Sequence, residues 1–170
     1  LDSDFDIKLD IGDWNVDPAK IKDLKVLSRN IRALGGRSII WCAPHAVGES
    51  AKCREDRMHL LMKDKNGNLA TTSNKFNVMC LRSPEARQVM TDICVRLATE
   101  YETDGAKYDL FNCIPDMKCE SCEHEHDTES SIEALELLMK SIYEKTREVN
   151  PDYIIELKQN YAGAKLSKYG

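Results

Sequence analysis

The greatest chemical potential in this chain lies in Lys107 and Asp109, two residues apart in the short apolar run Gly105-Ala106-Lys107-Tyr108-Asp109-Leu110-Phe111. The run follows a long amphipathic stretch and the acidic turn Glu102-Thr103-Asp104, the pattern of a buried strand entered from a helix. Side chains alternate along a strand, so a lysine and an aspartate at i and i+2 share one face. At the C-terminal rim of a parallel α/β barrel, charges in that position are placed for catalysis. A structural Lys–Asp ion pair is the other reading, and these residues alone leave both open.

A second concentration follows directly, with Cys113, Cys119, Cys122, His124 and His126 in one loop. Cys119 and Cys122 form a Cys-x-x-Cys pair, half of a zinc site, because both thiolates can reach one tetrahedral ion. His124 or His126 would complete it, with Cys113 or the distant Cys53 as further donors. The expected metal set is therefore Cys119, Cys122, His124 and His126. Against it stands a plain rim loop with free thiols, kept soluble by Glu120, Glu123, Glu125 and Asp127. Cys42, Cys80 and Cys94 fall in strand or helix patterns and read as small core residues. His45, after Pro44, suits a pocket or a rim position equally, and His59 reads as solvated.

The elements that must position these groups alternate strand and helix. Asp17-Pro18 opens a first helix whose stripe is Ile21, Leu24, Ser28, Ile31 and Leu34, ended by Gly35-Gly36. Ser38–Cys42 follows as a short buried strand. Residues 46–72 are a polar excursion at the rim, with a turn at Lys65-Asn66-Gly67-Asn68, and Phe76–Leu81 is the next expected strand. Ser83-Pro84-Glu85 starts a second helix with apolar positions Val89, Met90, Ile93, Leu97 and Tyr101. Ser130 with Glu133 is a capping-box signature for a third, closed by Asn150-Pro151. Tyr153–Leu157 is the last strand, and Leu1–Phe5 reads as the end of another. The alternation predicts crossovers and a parallel sheet, and no Gly-rich phosphate loop follows any strand.

At 170 residues the chain is one domain, or part of one. A net charge of −5 with scattered lysines argues against a nucleic-acid partner, and no apolar run approaches the length that spans a membrane. The compartment, cytoplasmic or periplasmic, is left open. Seven irregularly spaced cysteines rule out complete internal pairing and favour reduced thiols.

Taken in order, the segments resemble the catalytic barrel of the melibiase-type glycoside hydrolases, the α-galactosidases and their relatives. Gly12-Asp13-Trp14-Asn15-Val16-Asp17 resembles the family's Gly-Asp-Trp stretch. Leu34–Pro44, with its Trp41 and Pro44, is similar to the second strand, and Leu81–Arg87 to the end of the third strand and the following helix start. Asp104–Asp109 resembles the fourth strand, where the family usually carries Lys-Trp-Asp. The resemblance covers nearly the whole chain and implies part of a TIM (β/α)8 barrel, roughly strands one to five, as a single partial domain over residues 1–170.

It also implies a retaining glycosidase acting on terminal α-linked sugars of an oligosaccharide or glycoside, with Asp109 as nucleophile. Lys107 would bond sugar hydroxyls and Trp41 would line the pocket, with Lys75 and Asp2 as further substrate contacts. Catalysis in the family needs no cofactor, so a zinc ion at the Cys/His loop would be structural. The acid/base carboxylate, which the family carries on strand six, is expected beyond Gly170. The remainder of the barrel, or self-association through open sheet edges, is the expected partner, and the isolated segment is expected to be inactive. Pro44-His45 in place of Pro-Glu, and Glu156–Asn160 in place of a Cys-Ser-Gly-Gly type of loop, depart from the family more in sugar specificity than in reaction type. Two other readings stand: a barrel hydrolase or isomerase with a catalytic metal at the loop, and a non-catalytic carbohydrate-binding barrel remnant.

Overall fold

The computed structural model describes residues 11–115, 117–158, 163 and 165–170. The strand end expected at Leu1–Phe5, and Asp2 with it, lie outside the described residues.

The first helix is shorter than its apolar stripe. Asp17 closes only a turn, its side chain accepting the Ala19 N–H at 2.9 Å. Helix α1 (Leu24–Ala33) begins at Asp23, whose carboxylate accepts the Val26 N–H at 3.0 Å. Both aspartates are N-cap chemistry, and the later one wins because the backbone bends between them. After α1, Gly35 at φ +81° takes the left-handed conformation that reverses the chain.

Strand β1 (Ile39–Cys42) leads to β2 (Ala46–Val47) and the short helix α2 (Arg54–Arg57). Then come β3 (Asn77–Val78), α3 (Pro84–Thr99), β4 (Gly105–Tyr108), α4 (Ser131–Val149) and β5 (Ile154–Leu157). Helices α3 and α4 start where the sequence places them. Ser83 Oγ accepts the Ala86 N–H at 3.3 Å, and Ser130 Oγ accepts the Glu133 N–H at 3.1 Å.

The main sheet has three strands in the order β1-β4-β5, all parallel. Trp41 pairs with Lys107, and Lys107 with Glu156. The expected strand over Phe76–Leu81 is not part of this sheet. Its middle, β3, pairs antiparallel with β2, while Met62 N–H donates to the Val78 carbonyl and Cys80 N–H to that of Leu60. An apolar run buried on both faces looks the same inside a parallel sheet as between two rim segments. The expectation of four complete parallel strands is thus corrected to three among the described residues, and β1 and β4 are direct neighbours.

One face of the sheet packs on α3 and α4. Cys42, Ala106, Tyr108 and Ile155 meet Met90, Cys94 and Leu97 of α3 and Leu138, Met139 and Ile142 of α4 in one buried cluster. Burial of each large side chain there contributes about 1.5–3 kcal/mol. The opposite face carries Trp41, Lys107 and Glu156, with Ile39 41% and Ile154 37% exposed. Asp104, fully buried, ties the lower ends of β1 and β4 together by accepting the Ser38 N–H at 3.0 Å and Arg32 Nε at 2.9 Å. The architecture is α/β with a parallel sheet, and no helix among the described residues is long and apolar enough to cross a membrane.

Candidate functional site

Asp109 sits one residue past β4, where its N–H still donates to the Cys42 carbonyl at 3.0 Å. That bond extends the β1–β4 ladder and fixes the carboxylate at the C-terminal edge of the sheet. Leu110 then turns into the left-handed region at φ +65°, a conformation uncommon for a residue with a branched side chain. The turn brings the Leu110 N–H onto Asp109 Oδ1 at 2.7 Å. Backbone held in such a conformation is typical of functional edges, where surrounding contacts offset its cost.

Three side chains converge on this carboxylate and its strand. Trp41 Nε1 donates to Asp109 Oδ2 at 3.2 Å, and Lys158 Nζ lies 3.6 Å from Oδ1. Partial burial pushes the Asp109 carboxyl upward, but the Leu110 N–H, the Trp41 indole, Lys158 and Lys107 outweigh it and hold the group below its usual range. Asp109 is therefore an ionised, oriented carboxylate at neutral pH. Lys107 is on the same face, yet its ammonium bonds Glu156 Oε1 of β5 at 2.9 Å, and that carboxylate raises the Lys107 pKa. Of the two readings left open for Lys107 and Asp109, a direct ion pair between them is not the one formed: the charges alternate in a row, Lys107 against Glu156 and Asp109 against Lys158. The sequence reading missed Glu156 and Lys158 as site residues. Their signal was legible: Glu-x-Lys at the end of β5 has the same spacing as Lys-x-Asp at the end of β4, with the charges reversed.

The site's walls come from the rim. Trp14, itself at φ +53°, sets its ring 5.7 Å from that of Trp41. Arg96 of α3 holds this segment by donating to the Asp13 and Trp14 carbonyls, both at 2.9 Å. His45 is fully buried and stacks on Phe111 at 4.6 Å, beneath the turn that follows Asp109. Burial lowers its pKa to about 3, against weaker favourable effects of the Leu110 backbone and the Asp109 charge, so the ring is neutral. Lys75 is exposed, at φ +65° in the turn after Thr72, and its neighbour Asn74 reaches Cys113 Sγ at 3.4 Å. Asp2 lies outside the described residues.

The Cys/His loop folds differently from the Cys-x-x-Cys expectation. The ligand atoms of Cys80, Cys119, His124 and His126 all lie within 4.8 Å of one another. Cys122 is exposed and outside this group, and Cys80, assigned from the sequence to the core alone, takes its place. The other expected donors sit elsewhere, Cys113 beside Asn74 and Cys53 donating its N–H to Asp13 at 2.8 Å.

No protein-family model and no curated protein matches this chain. Solved structures do. The α-galactosidase from Lactobacillus brevis matches with TM-score 0.63 at 18% identity, over 92% of this chain and 21% of that one. The GH36 α-galactosidase AgaA from Geobacillus stearothermophilus matches with TM-score 0.72 at 16% identity, over 91% of this chain and 21% of that one. A doubly substituted AgaA in complex with raffinose matches with TM-score 0.71 at 14% identity, over 92% and 22%. The chain spans about a fifth of the length of these enzymes, and what it shares with them is a fold: it is similar to one part of an α-galactosidase.

Proposed function

We propose that this chain is a sector of a retaining α-glycosidase barrel and carries its nucleophile, Asp109. The observation that carries this reading is the carboxylate itself. It stands at the C-terminal edge of a parallel strand, the edge at which barrel enzymes place their chemistry, and it is kept ionised and aimed by the Trp41 indole and the Leu110 N–H. A nucleophilic carboxylate must be unprotonated to attack an anomeric carbon, and these donors favour that form. The fold likeness to α-galactosidases, one of them solved with raffinose, supports a terminal α-linked galactoside or a related sugar as substrate.

In this reading Asp109 attacks the anomeric carbon, the glycosidic bond breaks, and a covalent glycosyl-enzyme forms. Water then releases the sugar with retention. Lys107 and Trp41 bind the sugar, the first through hydroxyls and the second through the apolar face it offers to C–H groups. Lys75 and Asp2 are assigned as further substrate contacts. The second carboxylate of a retaining mechanism, the acid/base, stands roughly 5–5.5 Å from the nucleophile, and this reading assigns it to a later barrel strand.

The test is Asp109→Ala in the intact protein, assayed on p-nitrophenyl α-galactoside and raffinose. Turnover should fall by at least about 10³-fold, since no glycosyl-enzyme can form. Azide, a small external nucleophile, should restore part of the cleavage of the activated substrate. Undiminished turnover in Asp109→Ala rejects the assignment.

A further inference from the structure

We propose that Cys80, Cys119, His124 and His126 form a structural zinc site that clasps the rim excursion to the loop following β4. The inference does not depend on the glycosidase reading. It rests on four donors brought together from two distant stretches of chain, all within 4.8 Å.

The geometry suits a tetrahedral ion. Ligands bonded at about 2.3 Å through sulfur and about 2.1 Å through nitrogen stand about 3.6 Å apart across a tetrahedral angle. Cys119 Sγ and His124 Nε2 are 3.6 Å apart. The opposite nitrogen of that ring, Nδ1, is 2.6 Å from the His59 backbone carbonyl. A bond to a carbonyl requires the proton on Nδ1 and leaves the Nε2 lone pair facing the cluster. This is the arrangement that metal-bound histidines adopt, the outer hydrogen bond fixing tautomer and ring orientation. His126 supplies a second observation: its Nε2 is buried and has no hydrogen-bond partner among the described residues. Unpaired buried nitrogens are costly, and coordination would satisfy this one.

The donor chemistry selects the ion. Two thiolates and two imidazoles favour zinc over the hard cations that prefer oxygen, and two negative sulfurs neutralise a divalent charge away from water. Cys80 and Cys119 are only 1% and 2% exposed, so an ion bound between them would be shielded from solvent and chelator. Four protein donors leave no open position for substrate or water, which makes the role structural.

The site would lock segments that weaker bonds already stitch together. Glu120 N–H donates to the Lys63 carbonyl at 2.9 Å, Asp127 N–H to that of Arg82 at 3.2 Å, and Arg82 Nε to that of Thr128 at 2.7 Å. Cys80 and Cys119 belong to the buried cluster against which Trp41 and Leu110 pack. Metal loss would therefore loosen the wall behind Asp109 without removing any group that touches substrate.

The complete protein, purified without chelator, should carry about one zinc per chain by elemental analysis. Cys80→Ser and Cys119→Ser should each lose it, while Cys122→Ser keeps it. Cobalt put in place of zinc should give the thiolate charge-transfer and tetrahedral d–d absorption of a sulfur-ligated ion. If the Cys80 and Cys119 variants fail to fold, thiol titration of the folded wild type before and after chelation gives the same answer, with both thiols becoming reactive only after metal removal. Wild-type protein without zinc, a Cys80–Cys119 disulfide by mass, or loss of metal in Cys122→Ser with retention in Cys80→Ser would each overturn the site.

Discussion

At the residue scale, two neighbours of the same turn carry opposite electrostatic burdens. Asp109 is charged and held so by donors, whereas His45 is buried and stacked on Phe111, where desolvation keeps its ring neutral. The consequence for stability has a definite sign. His45 binds its proton with a pKa of 6.5 when unfolded and about 3 when folded, so below pH 6.5 the unfolded chain holds the extra proton. Its contribution is complete above pH 6.5 and is lost as pH falls towards 3. Within that window each pH unit costs up to about 1.4 kcal/mol. In His45→Phe the ring still stacks but cannot titrate, so the acid limb of the unfolding free energy should flatten. Denaturant titrations of the complete protein at pH 7 and pH 5 measure this, and equal acid slopes in both forms would refute the assignment.

Elements meet through a few buried polar joints. At the lower end of the sheet, Asp104 receives the Ser38 N–H, the Ser38 hydroxyl and Arg32 Nε, joining α1, β1 and β4 at one carboxylate. Asp104→Ala would leave the Ser38 N–H buried without its acceptor and take the carboxylate partner from Arg32. The expected loss is about 2–4 kcal/mol, read as a lowered denaturant midpoint with unchanged slope. Asp104→Asn should lose less, since its amide oxygen still accepts one of the bonds. Next to this joint, Gly105 is required by close approach, because a Cβ there would stand 2.4 Å from the Ile154 carbonyl oxygen.

For the whole molecule, the telling asymmetry is between the two faces of the sheet. The helix face is closed by α3 and α4, while the other leaves Ile39 and Ile154 exposed below the charged row, and β1 and β5 are its edges among the described residues. Open edges can pair with another chain, and each Å² of apolar surface left wet costs about 25 cal/mol. Expressed by itself, this chain should self-associate through those edges and show no glycosidase activity. Sedimentation should detect the oligomers, and lysines at Ile39 and Ile154 should shift the distribution towards monomer. A stable, active monomer of the unaltered chain would contradict the barrel-sector proposal.

The sequence by itself determined the strands β1, β4 and β5, the long helices α1, α3 and α4, and their order. Capping serines set the starts of α3 and α4, Lys-x-Asp placed a charge at a strand end, and alternation of strand and helix dictated a parallel sheet, because all of these are local chemistry. It misplaced the start of α1 and the stretch Phe76–Leu81, since capping and burial patterns repeat at positions that only neighbouring segments distinguish. What tertiary structure alone decided was which groups meet. Lys107 turns to Glu156 and Asp109 to Trp41 and Lys158, because β1, β4 and β5 come into register from far apart in the chain. Cys80 replaces Cys122 beside Cys119 for the same reason: Cys-x-x-Cys is a local spacing, but a tetrahedron of donors is a meeting in space, and the fold of the rim excursion brings Cys80 there while leaving Cys122 in solvent.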